Sequence, residues 1–428
     1  MAAKAFTVGG IGAQPSIDDV VKIAQGGLQV ALDAAGAERI KKESPAPKQF
    51  QQEAYTAPAE PSAPSGPVLT VEQARAVLAT RLLTVMNGRS GCRLQVAEYM
   101  VELLNKGVTP ALPAAPTDAQ VLTVLADTCH GTGGTVTAAS VAAGGSGHPS
   151  SAALGSALAS AIAAAGLTAP GLSAAERAVL TSGCCGAAGV GALAVAGGRK
   201  LLSLATAAAA LSCEALGAPT KSFEADVVEA QGYKAAIGAA DELLGLLEGS
   251  KRVDSLKERG AEPEAMAPFT AAPQRLGALG EALASAYACV RSEVQSGALA
   301  AKGSTTLAAP SPQLPAALLA LARALLAAAR DALRRAKAVG CGVGPAAAGA
   351  APLEAGVAAS LAEQLAAAEG SLAVAQRSMS AVGAAMMEDV EALPGVQAAL
   401  AASAALRAAH EAVALEALAA VVGLRAIE

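Results

Sequence analysis

Tryptophan is missing from this chain, and aromatic residues of any kind make up only 2% of it. The apolar share is still 53%, so alanine, valine and leucine carry it. Alanine costs least in a helix, whereas strands favour β-branched and aromatic side chains, and this balance predicts a mainly α protein. Strong positive charge is lacking too: the net charge is −5, and no basic stripe with interleaved aromatics occurs. Both features argue against nucleic acid as a partner. An even, dense cysteine framework is absent. The seven cysteines (Cys92, Cys129, Cys184, Cys185, Cys213, Cys289 and Cys341) are an odd number in a long chain and are expected to be reduced, buried thiols. Met1 to Gln14 carries no apolar core or cleavage pattern of a leader, which makes a cytoplasmic location the expectation.

A clean bilayer-spanning run of roughly 20 apolar residues is also lacking. Leu201 to Cys213 is uncharged but short, and Ala178 to Gly198 is long enough but contains six glycines. Pro315 to Val339 is interrupted by Arg323, Arg330, Asp331, Arg334 and Arg335. No membrane span is expected.

What is present is helical periodicity in a chain of 428 residues, enough for one large core or two modest ones. After a short extended piece, Ser16 precedes Ile17-Asp18-Asp19-Val20-Val21 as a candidate N-cap, with acids where the helix dipole favours them. Gly26-Gly27 stops this helix, Leu28 to Leu32 alternates like a strand, and a second helix ends near Ser44. Residues 45–68 hold six prolines and form a connector. Val71, Ala74, Val77 and Leu78, then Val96, Met100, Leu103 and Leu104, fall on helix faces separated by Asn87 to Gly91. A Gly/Ala/Ser-rich insertion or loop covers about 131–173. Helical spacing resumes from Ser173 to Glu248 with a break at Gly217-Ala218-Pro219, and 251–273 reads as a charged, proline-containing loop. Helices at about 274–296, 314–339, 353–387 and 397–424 complete an elongated helical bundle over 69–428, with a small mixed portion over 1–44.

Several segments carry a resemblance. They are Ser16 to Val21 with Gly26-Gly27 and Glu38-Arg39-Ile40, then Thr80 to Gly91, then Leu103-Leu104-Asn105-Lys106-Gly107-Val108 to Pro113. Cys213-Glu214-Ala215-Leu216-Gly217 and Leu246-Leu247-Glu248-Gly249-Ser250 follow, with weaker matches at Ala272-Pro273-Gln274 and Glu411 to Arg425. In this order they resemble the aromatic amino acid and histidine ammonia-lyases. The resemblance implies the ammonia-lyase fold, a tetramer built on central helices, and a methylidene-imidazolone electrophile formed from an internal Ala-Ser-Gly.

At the positions that chemistry needs, the sequence departs from the family. An ungapped placement after Pro113 puts Gln120-Val121-Leu122 at the triad, without the serine hydroxyl or the glycine that cyclisation requires. The family's supporting asparagine falls on Ser182, and its His-Pro-Gly-Gln motif falls near Tyr233-Lys234-Ala235-Ala236. Pro273-Gln274 keeps the end of a further motif, but its tyrosine and carboxylate-binding arginine fall on Ala267 and Thr270. The catalytic-tyrosine loop is replaced by the connector, whose one tyrosine is Tyr55. Losing one such group costs a catalyst orders of magnitude.

Sharper readings compete with plainer ones. Cys184-Cys185, alone or with Cys213, reads as a redox or metal site, but no histidine or Cys-x-x-Cys completes a zinc set, and buried small hydrophobes are simpler. His130 and His148, with Cys129 or Asp127, read as ligands or, more simply, as surface histidines. Gly131-Thr132-Gly133-Gly134 and Gly144-Gly145-Ser146-Gly147 lack the strand and Gly-Lys-Ser/Thr of a phosphate cradle. Ser90 and Ser182 have no histidine partner as nucleophiles. The expectation is therefore no catalytic, cofactor-binding or metal residues, and a non-catalytic family member serving as a scaffold. Its partners are proteins, in a homo-oligomer or a hetero-assembly, in the cytoplasm or on the cytoskeleton. An enzyme with a remodelled cleft and an amino-acid-binding sensor are the alternatives.

Overall fold

The structure, a computed structural model, describes residues 6–9, 14–43, 67–87, 90–115, 117–131, 158–254, 263–296, 311–340, 355–388 and 395–425. Most of the connector, most of the Gly/Ala-rich insertion, Tyr55, His148, Cys341 and the second glycine cluster therefore lie outside the described residues.

The start of the chain forms the expected mixed portion. Strand β1 (Phe6–Val8) pairs in parallel with β2 (Val30–Leu32), and helix α1 (Ile17–Gln25) connects them. A capping box sets where α1 begins: the Ser16 hydroxyl accepts the Asp19 amide at 3.2 Å, and the Asp19 carboxylate accepts the Ser16 amide at 2.9 Å. Gly26, at φ +79°, ends it in a conformation that L side chains avoid. Helix α2 (Ala34–Glu43) follows, then α3 (Val71–Met86) and α4 (Leu94–Asn105). Asn105 extends the two-stranded sheet with a side chain, accepting from the Val30 amide at 2.7 Å and donating to its carbonyl at 2.9 Å.

Helices α5 (Asp118–His130), α6 (Leu158–Ala164), α7 (Ala174–Thr181), α8 (Cys185–Leu216), α9 (Ala225–Glu229) and α10 (Lys234–Leu246) come next. The chain then forms α11 (Pro263–Thr270), α12 (Ala272–Gln295), α13 (Gln313–Gly340), α14 (Ala355–Glu388) and α15 (Gly395–Arg425). The fold is mainly α, and four long helices lie within two residues of their expected bounds.

Three segments differ from expectation, the first being Leu158–Ala164, which forms helix α6 inside the stretch read as a Gly/Ala/Ser-rich insertion or loop. Residues 263–270, read as loop, form α11, which tolerates Pro268 in its interior because Met266 and Phe269 are buried. The stretch after Pro116, aligned with a catalytic loop, is instead the start of α5.

The chain divides into two compact units. Unit 1 comprises Met1–Ala196, Tyr287–Ala316 and Ala385–Leu400, with a core that includes Ile17, Val20, Val77, Leu78, Met100 and Leu122. Unit 2 comprises Gly197–Ala286, Ala317–Ala384 and Ala401–Glu428, with Leu279, Leu283, Leu318, Leu325, Ala405 and Ala409 in its core. By length and composition, one stretch among the described residues, Ala174–Leu216, is apolar enough to cross a membrane. Its most apolar window is 72% buried within the protein, which is weak support for a span.

Candidate functional site

The positions that the resemblance aligns with catalytic groups are distributed over both units. Gln120, Val121, Leu122 and Ser182 belong to unit 1, whereas Tyr233 to Ala236, Ala267, Thr270, Pro273 and Gln274 belong to unit 2.

In unit 1, Gln120 serves as a helix-start residue. Its side-chain oxygen accepts from the Thr117 amide at 3.4 Å and from the Thr117 hydroxyl at 3.1 Å. Val121 and Leu122 are fully buried on the inner face of α5. A ring closed between the backbone nitrogen of the third residue and the carbonyl of the first does not fit this helical turn, so the residues present here do not suit a methylidene-imidazolone. Ser182 ends α7 in an extended conformation, and its hydroxyl donates to the Val179 carbonyl at 2.8 Å. Ser90 is buried, and its hydroxyl oxygen accepts the Cys92 amide at 3.2 Å.

Around these residues lies a group of buried polar side chains that sequence reading did not single out. Arg81 sits on α3 with no exposed surface. Its guanidinium donates to the Val179 carbonyl at 3.3 Å and to the Ser182 carbonyl, while its Nε has no hydrogen-bond partner. Asp118, the first residue of α5, turns a buried carboxylate onto the start of α8, where the Ala187 amide donates to Oδ1 at 2.7 Å. Burial pushes its pKa up to about 7, against the opposing pull of the Ala187 and Gly186 amides and of Arg81. Glu293, on α12, is also raised, with burial outweighing Arg81.

The cysteines near this group are thiols. Burial pushes Cys92 and Cys129 up to about 12 and raises Cys184 and Cys185 as well. Thiolate chemistry at neutral pH is thereby suppressed. His130 accepts the Leu172 amide on Nδ1 at 2.9 Å. Among the described residues, no group of three or more His, Cys, Asp and Glu side chains is placed to hold a metal ion. Beside Glu293 lies an open cavity of about 150 Å³ lined by Cys289, Ser292, Glu293, Ser311, Gln313 and Leu314. That is about half the smallest volume typical of a ligand pocket, roughly 300 Å³.

In unit 2, Tyr233 is the exposed N-cap of α10, and the Thr270 hydroxyl donates to the Met266 carbonyl at 3.3 Å. Gln274 keeps a buried Oε1 with no hydrogen-bond partner. Thr270, at the aligned arginine position, carries no cation for a carboxylate, and Ala267, at the aligned tyrosine position, carries no hydroxyl.

A sequence profile described as aromatic amino acid lyase matches residues 45–298, more than half of the chain. A histidine ammonia-lyase of Streptococcus sanguinis (strain SK36) is 30% identical over 195 residues, covering 43% of this chain and 34% of that protein. One from Sorangium cellulosum (strain So ce56) is 30% identical over 236 residues, covering 54% of this chain and 43% of its own length. The chain thus spans between a third and a half of the length of these two curated relatives. Among solved structures, tyrosine aminomutase from Streptomyces globisporus superposes with a TM-score of 0.76 at 20% identity, covering 99% of this chain and 88% of that one. Histidine ammonia-lyase from Trypanosoma cruzi gives 0.75 at 20% identity, covering 99% and 85%. At such identities the superpositions establish the fold alone.

Proposed function

The chain belongs to the aromatic amino acid lyase family, and from that premise we propose that it is a non-catalytic member whose fold serves as a scaffold for protein partners. The observation that carries this reading is in the sequence: Ala-Ser-Gly, the source of the family's electrophile, occurs nowhere in the 428 residues. The helical start of α5 at the aligned position, and the alanine and threonine at the aligned tyrosine and arginine, support it from separate parts of the chain. Without the electrophile there is no acceptor for the substrate's electrons, and without the arginine there is no cation for its carboxylate. Exposed leucines on α8, Leu204 and Leu211, lie seven residues apart and so share one helix face, an apolar stripe of the kind that partners cover.

The curated relatives are named as enzymes, which makes the test direct. The purified chain is scanned for the ultraviolet band of the prosthetic group and assayed for ammonia release from histidine, phenylalanine and tyrosine. We expect neither a band nor ammonia above the blank. Either signal sinks the non-catalytic reading and returns the chain to enzymology.

A further inference from the structure

The open cavity of about 150 Å³ beside Glu293 lies within unit 1, between α12 and the start of α13. Helix α12 contributes Cys289, Ser292 and Glu293, and Ser311, Gln313 and Leu314 form the other side. None of the aligned catalytic positions is among its walls, and the scaffold reading gives it no part.

Those walls are rich in acceptors and hold no lysine, arginine or histidine. Among the described residues, nothing donates a hydrogen bond to the Glu293 carboxylate, and no ion pair holds it. The Ser292 hydroxyl gives its proton to the Ala288 carbonyl at 2.9 Å, which leaves its lone pairs as what it can offer an occupant. The Ser311 oxygen accepts the Gln313 amide at 3.3 Å and keeps a second lone pair, and Gln313 adds a carboxamide oxygen.

Charge balance points the same way. Arg81 is the cation acting on both Glu293 and Asp118, yet among the described residues it forms an ion pair with neither. Its guanidinium is committed to the Val179 and Ser182 carbonyls. One guanidinium facing two ionised carboxylates leaves a negative charge unmatched. Asp118 spends Oδ1 on the Ala187 amide, whereas Glu293 borders open space. Size narrows the occupant further. A cavity of roughly 150 Å³ admits benzene, so about six non-hydrogen atoms fit, too few for an aromatic amino acid. Among the described residues, no group of three or more His, Cys, Asp and Glu side chains is placed to hold a metal ion there.

We propose that this cavity binds a small aliphatic primary ammonium, its nitrogen on the Glu293 carboxylate and the Ser311 and Gln313 oxygens, its carbon end against Leu314. Such a group brings three N–H donors and the missing positive charge, and a hydrogen bond between ionised partners is among the stronger kinds. So few atoms limit the affinity, and a millimolar dissociation constant is expected.

Cys289 makes the site readable, because it lines the cavity and is half-buried, whereas Cys92, Cys129, Cys184, Cys185 and Cys213 are buried. The full chain is alkylated with iodoacetamide, and labelling of Cys289 is followed by peptide mass spectrometry. Ethylammonium chloride, tetramethylammonium chloride and sodium chloride are compared at equal ionic strength. We expect ethylammonium to slow the labelling several-fold and saturably. Tetramethylammonium has the charge but no N–H, so it and sodium are expected to leave the rate unchanged. Glu293→Gln is expected to abolish the protection. Equal protection by tetramethylammonium or sodium chloride overturns the proposal, as does protection that persists in Glu293→Gln, or none with ethylammonium. Should Glu293→Gln fail to fold, Ser311→Ala takes its place. It must raise the ethylammonium concentration for half-protection several-fold, and an unchanged value overturns the site.

Discussion

Arg335 and Glu416 meet inside unit 2 with side chains 3% and 0% exposed. The guanidinium is bidentate on the carboxylate, with Nη2 to Oε2 at 3.0 Å, while Ser212 donates to Oε1 at 3.0 Å and the Pro268 carbonyl accepts from Nη1 at 3.1 Å. Burial alone would pull the arginine's pKa down, but the facing carboxylate outweighs it and holds the group charged. Removing one partner strands the other charge in the interior, so Arg335→Met is expected to cost about 3–5 kcal/mol in urea unfolding. The double replacement Arg335→Met with Glu416→Leu removes both charges and is expected to recover most of that loss. A double variant as unstable as the single one would mean that the shape of the pair, and not its charge, holds the site. At this scale the sequence was least legible. An arginine, an aspartate and a glutamate on amphipathic helices look like solvated residues, and only the packing of distant helices reveals Arg81, Asp118 or Glu416 as buried. The aligned positions were readable as residue types, because a missing serine or arginine is visible without coordinates.

Helices here are set by caps and by close approach. The Ser16 cap at the start of α1 was legible because the cap and the turn it closes are adjacent in sequence, and Ser16→Ala is expected to lower stability by about 1 kcal/mol, measured by thermal or urea unfolding. Gly189 is a subtler case. On α8 it lies against the backbone of α3, where an added Cβ would stand 2.7 Å from the Val77 nitrogen and 2.8 Å from the Ala76 carbonyl carbon. Backbone cannot swing aside as a side chain can, so Gly189→Ala is expected to cost about 1–3 kcal/mol despite alanine's better helix propensity. A stabilised Gly189→Ala would refute this close packing. Long helices with a regular apolar face were legible from spacing alone. Two of those that were missed have local reasons. In α11 the prolines Pro263 and Pro268 read as breakers, but the first starts the helix, where a missing N–H is harmless, and burial of Met266 and Phe269 compensates for the second. In α5 the signal was present as Thr117 with Gln120 three residues on, and as Val121, Leu122, Val124 and Leu125 on buried positions. Alignment to a loop obscured it.

At the scale of the whole molecule, fold and chemistry make different demands on sequence. A helical core needs residues that are apolar and of suitable volume, and many exchanges satisfy it. That is why 99% of the chain superposes on tyrosine aminomutase at 20% identity. A catalytic site needs particular groups at particular atoms, so fold alone does not carry an activity. A scaffold, by contrast, needs a surface to be covered. Leu204 is 56% and Leu211 39% exposed on one face of α8. A second copy of the chain is the simplest cover, since a symmetric interface uses the same patch twice. Light scattering coupled to size-exclusion chromatography is then expected to give a multiple of the single-chain mass. Leu204→Glu with Leu211→Glu should reduce it to that of one chain without changing the helical circular dichroism, because both positions face solvent within the chain. A single-chain mass for the unaltered protein would eliminate self-association and leave a different protein as the partner. An unchanged oligomer in the double variant would place the interface on another face.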